Sequence, residues 1–278
     1  MTREGRIARI RAGRWIRYPV ADRIADRLEA LLASPRVTRM PNLLIVGDPN
    51  NGKTALIERF VRHHPALGGT SPDTPVLAVE APPVPDERRL YQAILRRLGT
   101  MSRPSWAAAR LQWETLRALV AFGVRMLVID DVQRALAGPP AKQRQLLNAI
   151  EHLGSELQIP IVAAGTPDAS NAIHADPQFA YRFDRAVLPR WTMSSDYLRL
   201  LASFEIALPL EHRSALAKSG LAVNILSRSE GTIGEISALL CGAALAAIER
   251  GTERITAVEL DRCGYLAPSE RRRLALAL

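Results

Sequence analysis

Apolar positions along the chain alternate between two patterns, a helical stripe and a short unbroken run. Val20, Ile24, Leu28, Leu31 and Leu32 share one helix face over 20–33, and Ser34-Pro35 ends that helix. NLLIV at 42–46 is an apolar run between Pro41 and Gly47, so it reads as a buried strand. Ala55, Leu56, Phe60 and Val61 return to helical spacing over 53–64. The alternation continues with a strand at 75–81, a helix at 86–98 on Leu90, Ile94, Leu95 and Leu98, and a loop at 99–105. A helix at 105–122 carries Leu111, Leu116, Leu119 and Val120. VRMLVIDD (124–131) and IPIVAAGT (159–166) are further runs, separated by a Gly138-Pro139-Pro140 loop and a helix at 141–157. A short helix follows, and 183–189 gives a fifth, edge-like strand. Unbroken apolar strands alternating with helices predict an α/β fold, a doubly wound parallel sheet covered on both faces.

From about residue 192 the strand pattern stops. Helical spacing alone remains, at 194–207, 211–226, 231–250 and 256–264. The organisation expected is a basic lead segment at 1–19, an α/β domain at 20–191, a smaller helical domain at 192–266 and a basic tail at 267–278.

Composition narrows the class. The chain has 278 residues, 47% of them hydrophobic, enough for a real core. Its two cysteines, Cys241 and Cys263, lack metal-type spacing and sit in apolar helical contexts, which reads as buried structural thiols in a reducing cytosol. No secretory leader is legible, and the apolar stretch 236–248 is too short for a bilayer, so a cytoplasmic protein without a membrane role is expected. The net charge of +9 favours polyanionic partners. Only Lys53, Lys142 and Lys218 of the 37 basic residues are lysine, a skew that a GC-rich genome also produces, so the charge alone does not prove nucleic-acid binding.

The chemistry starts at GDPNNGKT. Gly47, Asp48, Pro49, Asn50, Asn51, Gly52, Lys53 and Thr54 lie between strand and helix with the phosphate-loop spacing. Backbone N–H groups of such a loop and the helix N-terminus hold phosphate oxygens. Lys53 supplies a charge to the β- and γ-phosphates of ATP and Thr54 a hydroxyl to Mg²⁺. Asp130, at the end of the third strand, is placed for the Mg²⁺ side. Asp131 stands where many ATPases carry the glutamate that polarises water, one methylene shorter. Thr166, at the end of the fourth strand, is a candidate γ-phosphate or water sensor, although a helix cap explains such a threonine equally. Arg182 in YRFDR, with Arg185 as second choice, is placed to reach a neighbouring subunit's nucleotide, and an internal salt bridge is the competing reading.

GDPNNGKT, LVIDD, AAGT, YRF and a helical lid in this order resemble the AAA+ ATPases. More narrowly, RWIRYP, RMPNLLIVGDPNNGKTALIERF, GTPDASNAIHADPQFAYRFDRAVLPRW and EGTIGEISALL are similar to the TniB family of transposition proteins, relatives of TnsC and MuB, over about 14–265. The resemblance implies an ATP-dependent regulator in which ATP is an assembly switch: binding orders the subunit interface, and slow hydrolysis releases it. It implies a helical oligomer on duplex target DNA that recruits or stimulates a DDE transposase of the TniA or TnsB type, in some members with a TniQ-like selector. It also implies DNA-phosphate contacts, for which the carriers are Arg103, flanked by Arg96, Arg97 and Arg110, and Lys142 and Arg144. In AAA+ proteins a lead segment packs near the adenine, a role open to residues 15–19 beside plain core packing. Two features depart from the pattern. Asp130-Asp131 replaces Asp-Glu, and Gly231-Thr232-Ile233-Gly234-Glu235 lacks the lid arginine of a G-T-x-R pattern, for which Arg228 is a possible substitute. A helicase-loading or replication-initiator ATPase, and a nucleotide-gated scaffold that does not touch DNA, remain the alternatives.

Overall fold

The computed structural model describes residues 1–65, 74–175 and 177–276. The order of elements is α1 (Arg3–Arg11), α2 (Pro19–Ala33), β1 (Asn42–Gly47), α3 (Lys53–His63), β2 (Val76–Glu80), α4 (Glu87–Arg97), α5 (Ala108–Ala121), β3 (Met126–Asp130), α6 (Val132–Ala135), α7 (Pro140–Leu157) and β4 (Ile161–Gly165). It continues with α8 (Pro167–Ala175), α9 (Pro177–Ala180), β5 (Phe183–Leu188), α10 (Ser195–Ala207), α11 (Ser219–Ser229), α12 (Ile233–Arg250), α13 (Ala257–Arg262) and α14 (Pro268–Leu276).

Two compact units make up the described chain. One is 23–49 with 53–188, and the other is 1–22, 50–52 and 189–278. The first is the sheet unit. Its five strands run in the order β2-β3-β4-β1-β5 and every pairing is parallel. β1, β3 and β4 are buried at every position, as the unbroken apolar runs require of strands covered on both faces. β5 alternates buried and exposed residues, which suits its place at the edge. Leu44, Val46, Leu127, Ile129, Ile161 and Ala163 pack with Leu90, Ile94 and Leu95 of α4, Leu111 and Leu119 of α5, and Leu146, Ile150 and Leu153 of α7 in one core. The strand ends that matter are level: Val46 pairs with Gly165, and Ile129 with Ala163. The carboxyl ends of β1, β3 and β4 therefore lie side by side, where parallel α/β sheets bind ligands.

The second unit is helical. Ser194 caps α10 by accepting the N–H of Tyr197, and Thr256 with Glu259 forms a capping box on α13. α12 carries Leu239, Leu240, Ala243, Ala244 and Ala247 into the core of this unit.

Four sequence expectations change. The helix expected at 211–226 begins only at Ser219. Ala215 takes a left-handed φ of 55°, and the Glu205 carboxylate accepts the N–H groups of Ala215 and Leu216, so residues before α11 form a turn. The basic lead holds a helix, α1, started by the Thr2 hydroxyl and buried through Ile10. Its arginines masked the weak apolar stripe. Cys241 and Cys263 are free and half-buried rather than buried. The basic tail forms α14 up to Leu276, and residues 277–278 of that tail lie outside the described residues. Among the described residues no single helix is long and apolar enough to cross a membrane.

Candidate functional site

The phosphate-loop residues of the sheet unit close on themselves. The buried Lys53 ammonium donates to the backbone carbonyls of Gly47 at 2.8 Å and Asp48 at 2.9 Å. An ammonium has three donors, so one N–H remains for a phosphate oxygen. Burial pulls the Lys53 pKa down, against the attraction of Asp130, Asp131 and Asp48. Thr54, the second residue of α3, donates its hydroxyl to Asp130 Oδ2 at 2.6 Å. Asp130 is buried at the end of β3. Burial pushes its pKa up, partly offset by the Thr54 hydroxyl and the Asp131 N–H, which it accepts at 2.8 Å.

These features fit a nucleotide with Mg²⁺. Thr54 Oγ1 and Asp130 Oδ2 are two hard oxygens in contact, and a magnesium site needs only one or two protein oxygens besides phosphates and waters. Among the described residues no group of three or more His, Cys, Asp or Glu gathers as an all-protein metal cage.

Asp131 caps α6 in the left-handed region, with φ 56° and ψ 39°. A non-glycine residue there costs of order 1–3 kcal/mol and is held by its surroundings. Its Oδ1 accepts from Gln133 Nε2 at 2.9 Å, and Arg134 lies 3.9 Å from its Oδ2. Gln133 is a site residue that sequence reasoning missed, since two residues after an acid is no motif. Thr166 is half-buried after β4, and its hydroxyl lies 3.5 Å from the Ala169 N–H in a weak cap of α8. Lys53, Thr54, Asp130, Asp131 and Thr166 thus all stand at the carboxyl end of the sheet.

Arg182 does not join them. Its carbonyl accepts the N–H of Asn42 at the opposite end of β1, and β5 pairs with β1 from Asn42↔Phe183 to Gly47↔Leu188. Five residues of strand, about 17 Å, separate it from Gly47. Its guanidinium pairs with Glu151 at 2.7 Å. Arg185 leans on the His174 ring at 3.1 Å.

The loop tip belongs to the helical unit. Asn50 is left-handed at φ 58°, and Gly52 has φ 85°. The Asn50 carbonyl accepts the Gly234 N–H at 3.0 Å and its side-chain amide donates to Glu235 at 2.9 Å. Asn51 donates to the Pro189 carbonyl at 3.1 Å and accepts the Ile233 N–H at 3.3 Å. At Gly234, where the G-T-x-R pattern has its arginine, a Cβ would overlap Asn50. Arg228, the candidate substitute, pairs with Asp261 and donates to the Leu260 carbonyl. Trp15, Tyr18 and Trp191 form an aromatic row, with Tyr18 edge-on to Trp191 at 5.2 Å.

The candidate DNA residues share one region. Arg88 donates to the carbonyls of Pro104 (2.8 Å) and Trp106 (3.0 Å), and Gln145 donates to Glu87 at 3.0 Å. These bonds gather the starts of α4, α5 and α7. Arg103 is exposed there, and Arg110 stacks over Trp106 at 4.2 Å. Lys142 donates to Gln145 at 3.2 Å, and Arg144 lines a groove of α7 with Leu147, Ala172 and Pro177.

A protein-family model described as bacterial TniB protein matches residues 6–193. Among curated proteins no match to the sequence is found. Among solved structures, the Aeropyrum pernix ORC1 protein in complex with DNA superposes with a TM-score of 0.62 at 18% identity, covering 92% of this chain and 64% of that one. CDC6P from Pyrobaculum aerophilum gives 0.57 at 17% identity, covering 89% and 67%. AMPPCP-bound DnaA from Aquifex aeolicus gives 0.54 at 14% identity, covering 94% and 68%. The chain therefore spans 64% of the length of the ORC1 protein it matches. Identities this low show the fold alone, which this chain shares with the ORC1 protein, CDC6P and DnaA. With the family model matching well over half of the sequence, the chain belongs to the bacterial TniB protein family.

Proposed function

We propose that this chain is an ATP-dependent regulator of DNA transposition, which binds and slowly hydrolyses ATP, assembles on duplex target DNA and recruits or activates a DDE transposase. The observation that carries the reading is the Thr54–Asp130 contact beside the Lys53 ammonium, within the residues the TniB model matches. Lys53 binds the β- and γ-phosphates with its remaining N–H. Thr54 and Asp130 hold Mg²⁺, which supplies charge neutralisation on the phosphates. Asp131, aimed by Gln133, orients and polarises the attacking water. Thr166 senses the γ-phosphate from β4. Arg182 acts on a neighbouring subunit's nucleotide, which its position at the far end of the sheet favours over its own. The DNA bound by ORC1 and the AMPPCP bound by DnaA support the same two ligand classes here. Arg103, Lys142 and Arg144 meet DNA phosphates. A TniQ-like selector is a further partner of this reading, and the protein acts in the cytoplasm.

The test is electron microscopy of the protein with duplex DNA under ATP, a non-hydrolysable analogue and ADP. Rings or filaments with the triphosphates only, lost in Lys53→Ala, are expected. DNA-bound assemblies that ignore the nucleotide would overturn the switch. A second reading is a replication initiator or helicase-loader-type ATPase, and the fold shared with ORC1, CDC6P and DnaA is what supports it. Co-purification with a helicase and not with a transposase would select it.

A further inference from the structure

Glu235 is a buried carboxylate at the first turn of α12, its side chain 8% exposed. Burying such a charge is costly unless donors surround it. Three do. Asn50 Nδ2 reaches Oε1 at 2.9 Å, Arg271 Nη2 reaches the same oxygen at 2.5 Å, and the Tyr265 hydroxyl donates to Oε2 at 2.7 Å. The donors come from places far apart in the chain: the phosphate-loop tip, the segment after α13, and α14. Each belongs to the helical unit.

α14 has an unusual attachment. None of its residues is buried. It is held by Arg271 on Glu235, by the Ser269 N–H on Glu230 at 2.7 Å, and by Arg272 near Glu230 at 3.6 Å. Arg271 and Arg272 are themselves exposed, and ion pairs made by exposed, flexible arginines hold an element only weakly. An element without buried apolar contacts is drawn from the low-stability end of a fold. Yet one of its side chains reaches the carboxylate that holds Asn50, three residues before Lys53. Asn50 needs holding, because its left-handed backbone is fixed only by its neighbours.

We propose that Glu235 is a positioning residue for the phosphate loop, acting through Asn50, and that α14 tunes nucleotide affinity because Arg271 anchors the Glu235 carboxylate. The proposal rests on the nucleotide-binding reading of the loop. When Arg271 is engaged, the carboxylate stays fixed and Asn50 presents the loop in its binding shape. When α14 leaves, Glu235 keeps only Asn50 and Tyr265, gains water, and holds Asn50 less firmly. Any partner that takes up the C-terminal arginines therefore weakens the grip on ATP.

The experiment is a titration of the full chain with a fluorescent ATP analogue and Mg²⁺, with thermal unfolding of each variant as a check on folding. Glu235→Ala should weaken binding about fivefold, the size of one net hydrogen bond. Glu235→Gln keeps an acceptor for Asn50 without the charge, and should fall between. Arg271→Ala, on an exposed helix, should weaken binding about twofold to threefold. The cycle is decisive: the double variant Asn50→Ala/Glu235→Ala should bind no more weakly than Asn50→Ala alone, whereas a merely structural Glu235 gives additive losses. Wild-type affinity in folded Glu235→Gln and Arg271→Ala, or additivity in the cycle, overturns the proposal alone. Equal binding by wild type and Lys53→Ala overturns the nucleotide reading and this inference with it.

Discussion

At the scale of single residues, the question is which side chains bind and which turn over. Lys53 and Thr54 are spaced by covalent geometry, so GDPNNGKT was legible without a structure. Asp130 was legible for the same reason, as the last residue of an apolar run. The left-handed Asn50 and Asp131 were not, because their conformations depend on Glu235 and Gln133 and no local pattern encodes them. Gln133 donates one amide proton to Asp131 while its own buried Oε1 finds no partner among the described residues. A bond to a charged acceptor contributes about 1.5–3 kcal/mol. Gln133→Ala should therefore lower kcat by about tenfold, with ATP affinity within twofold of wild type. Asp131→Asn should lower kcat further and prolong ATP-bound assemblies. Single-turnover phosphate release separates the two steps. A Gln133→Ala protein that loses affinity and keeps its turnover would move Gln133 from Asp131 to the loop.

At the scale of elements, two opposing effects meet at the start of α12. Glycine to alanine inside a helix normally stabilises by about 0.8–1 kcal/mol. At Gly234 a Cβ overlaps Asn50, and forced overlap costs about 1–3 kcal/mol. The overlap is against a residue pinned by its own bonds, so it should win. Gly234→Ala should destabilise by about 1–2 kcal/mol in denaturant unfolding, against the sign that propensity gives. The same unit carries a pH signature. Burial raises the pKa of Glu235 and Glu259, but their donors outweigh it and hold both below the usual carboxylate range. Glu235 faces Tyr265, Arg271 and Asn50, and Glu259 faces Thr256, Thr252 and Arg250 at 3.7 Å. A depressed pKa adds stability that is complete above the unfolded value, about 4.3 for glutamate, and is lost as pH falls through the folded value. Tm should hold steady from neutrality to about pH 5 and fall below it, less steeply in Glu259→Gln. Strands and long helices of this fold were read from the sequence to within three residues at each end. α1 and α11 were misread because polar contacts, not apolar periodicity, set their limits.

At the scale of the whole molecule, the net charge of +9 is unevenly engaged. Arg6 pairs with Glu253 at 2.6 Å, Arg182 with Glu151, Arg228 with Asp261, and Arg271 with Glu235. Their charges are partly neutralised within the chain. Arg103 has no carboxylate in reach among the described residues, and Lys142 meets only a neutral amide. Under the proposed reading, Arg103 and Lys142 are the stronger candidates for phosphate contacts. Each phosphate contact with duplex DNA adds about 0.9 to the slope of log affinity against log salt. Arg103→Ala/Lys142→Ala/Arg144→Ala should therefore flatten that slope by about 2–3, with ATP binding kept, when duplex affinity is measured across salt in the presence of ATP. Because phosphates carry no base sequence, the loss should be equal for unrelated duplexes. An unchanged slope would send the DNA face to α1 or α14. The α14 outcome would carry a second consequence, since an Arg271 drawn to DNA leaves Glu235, and DNA would then weaken the hold on ATP.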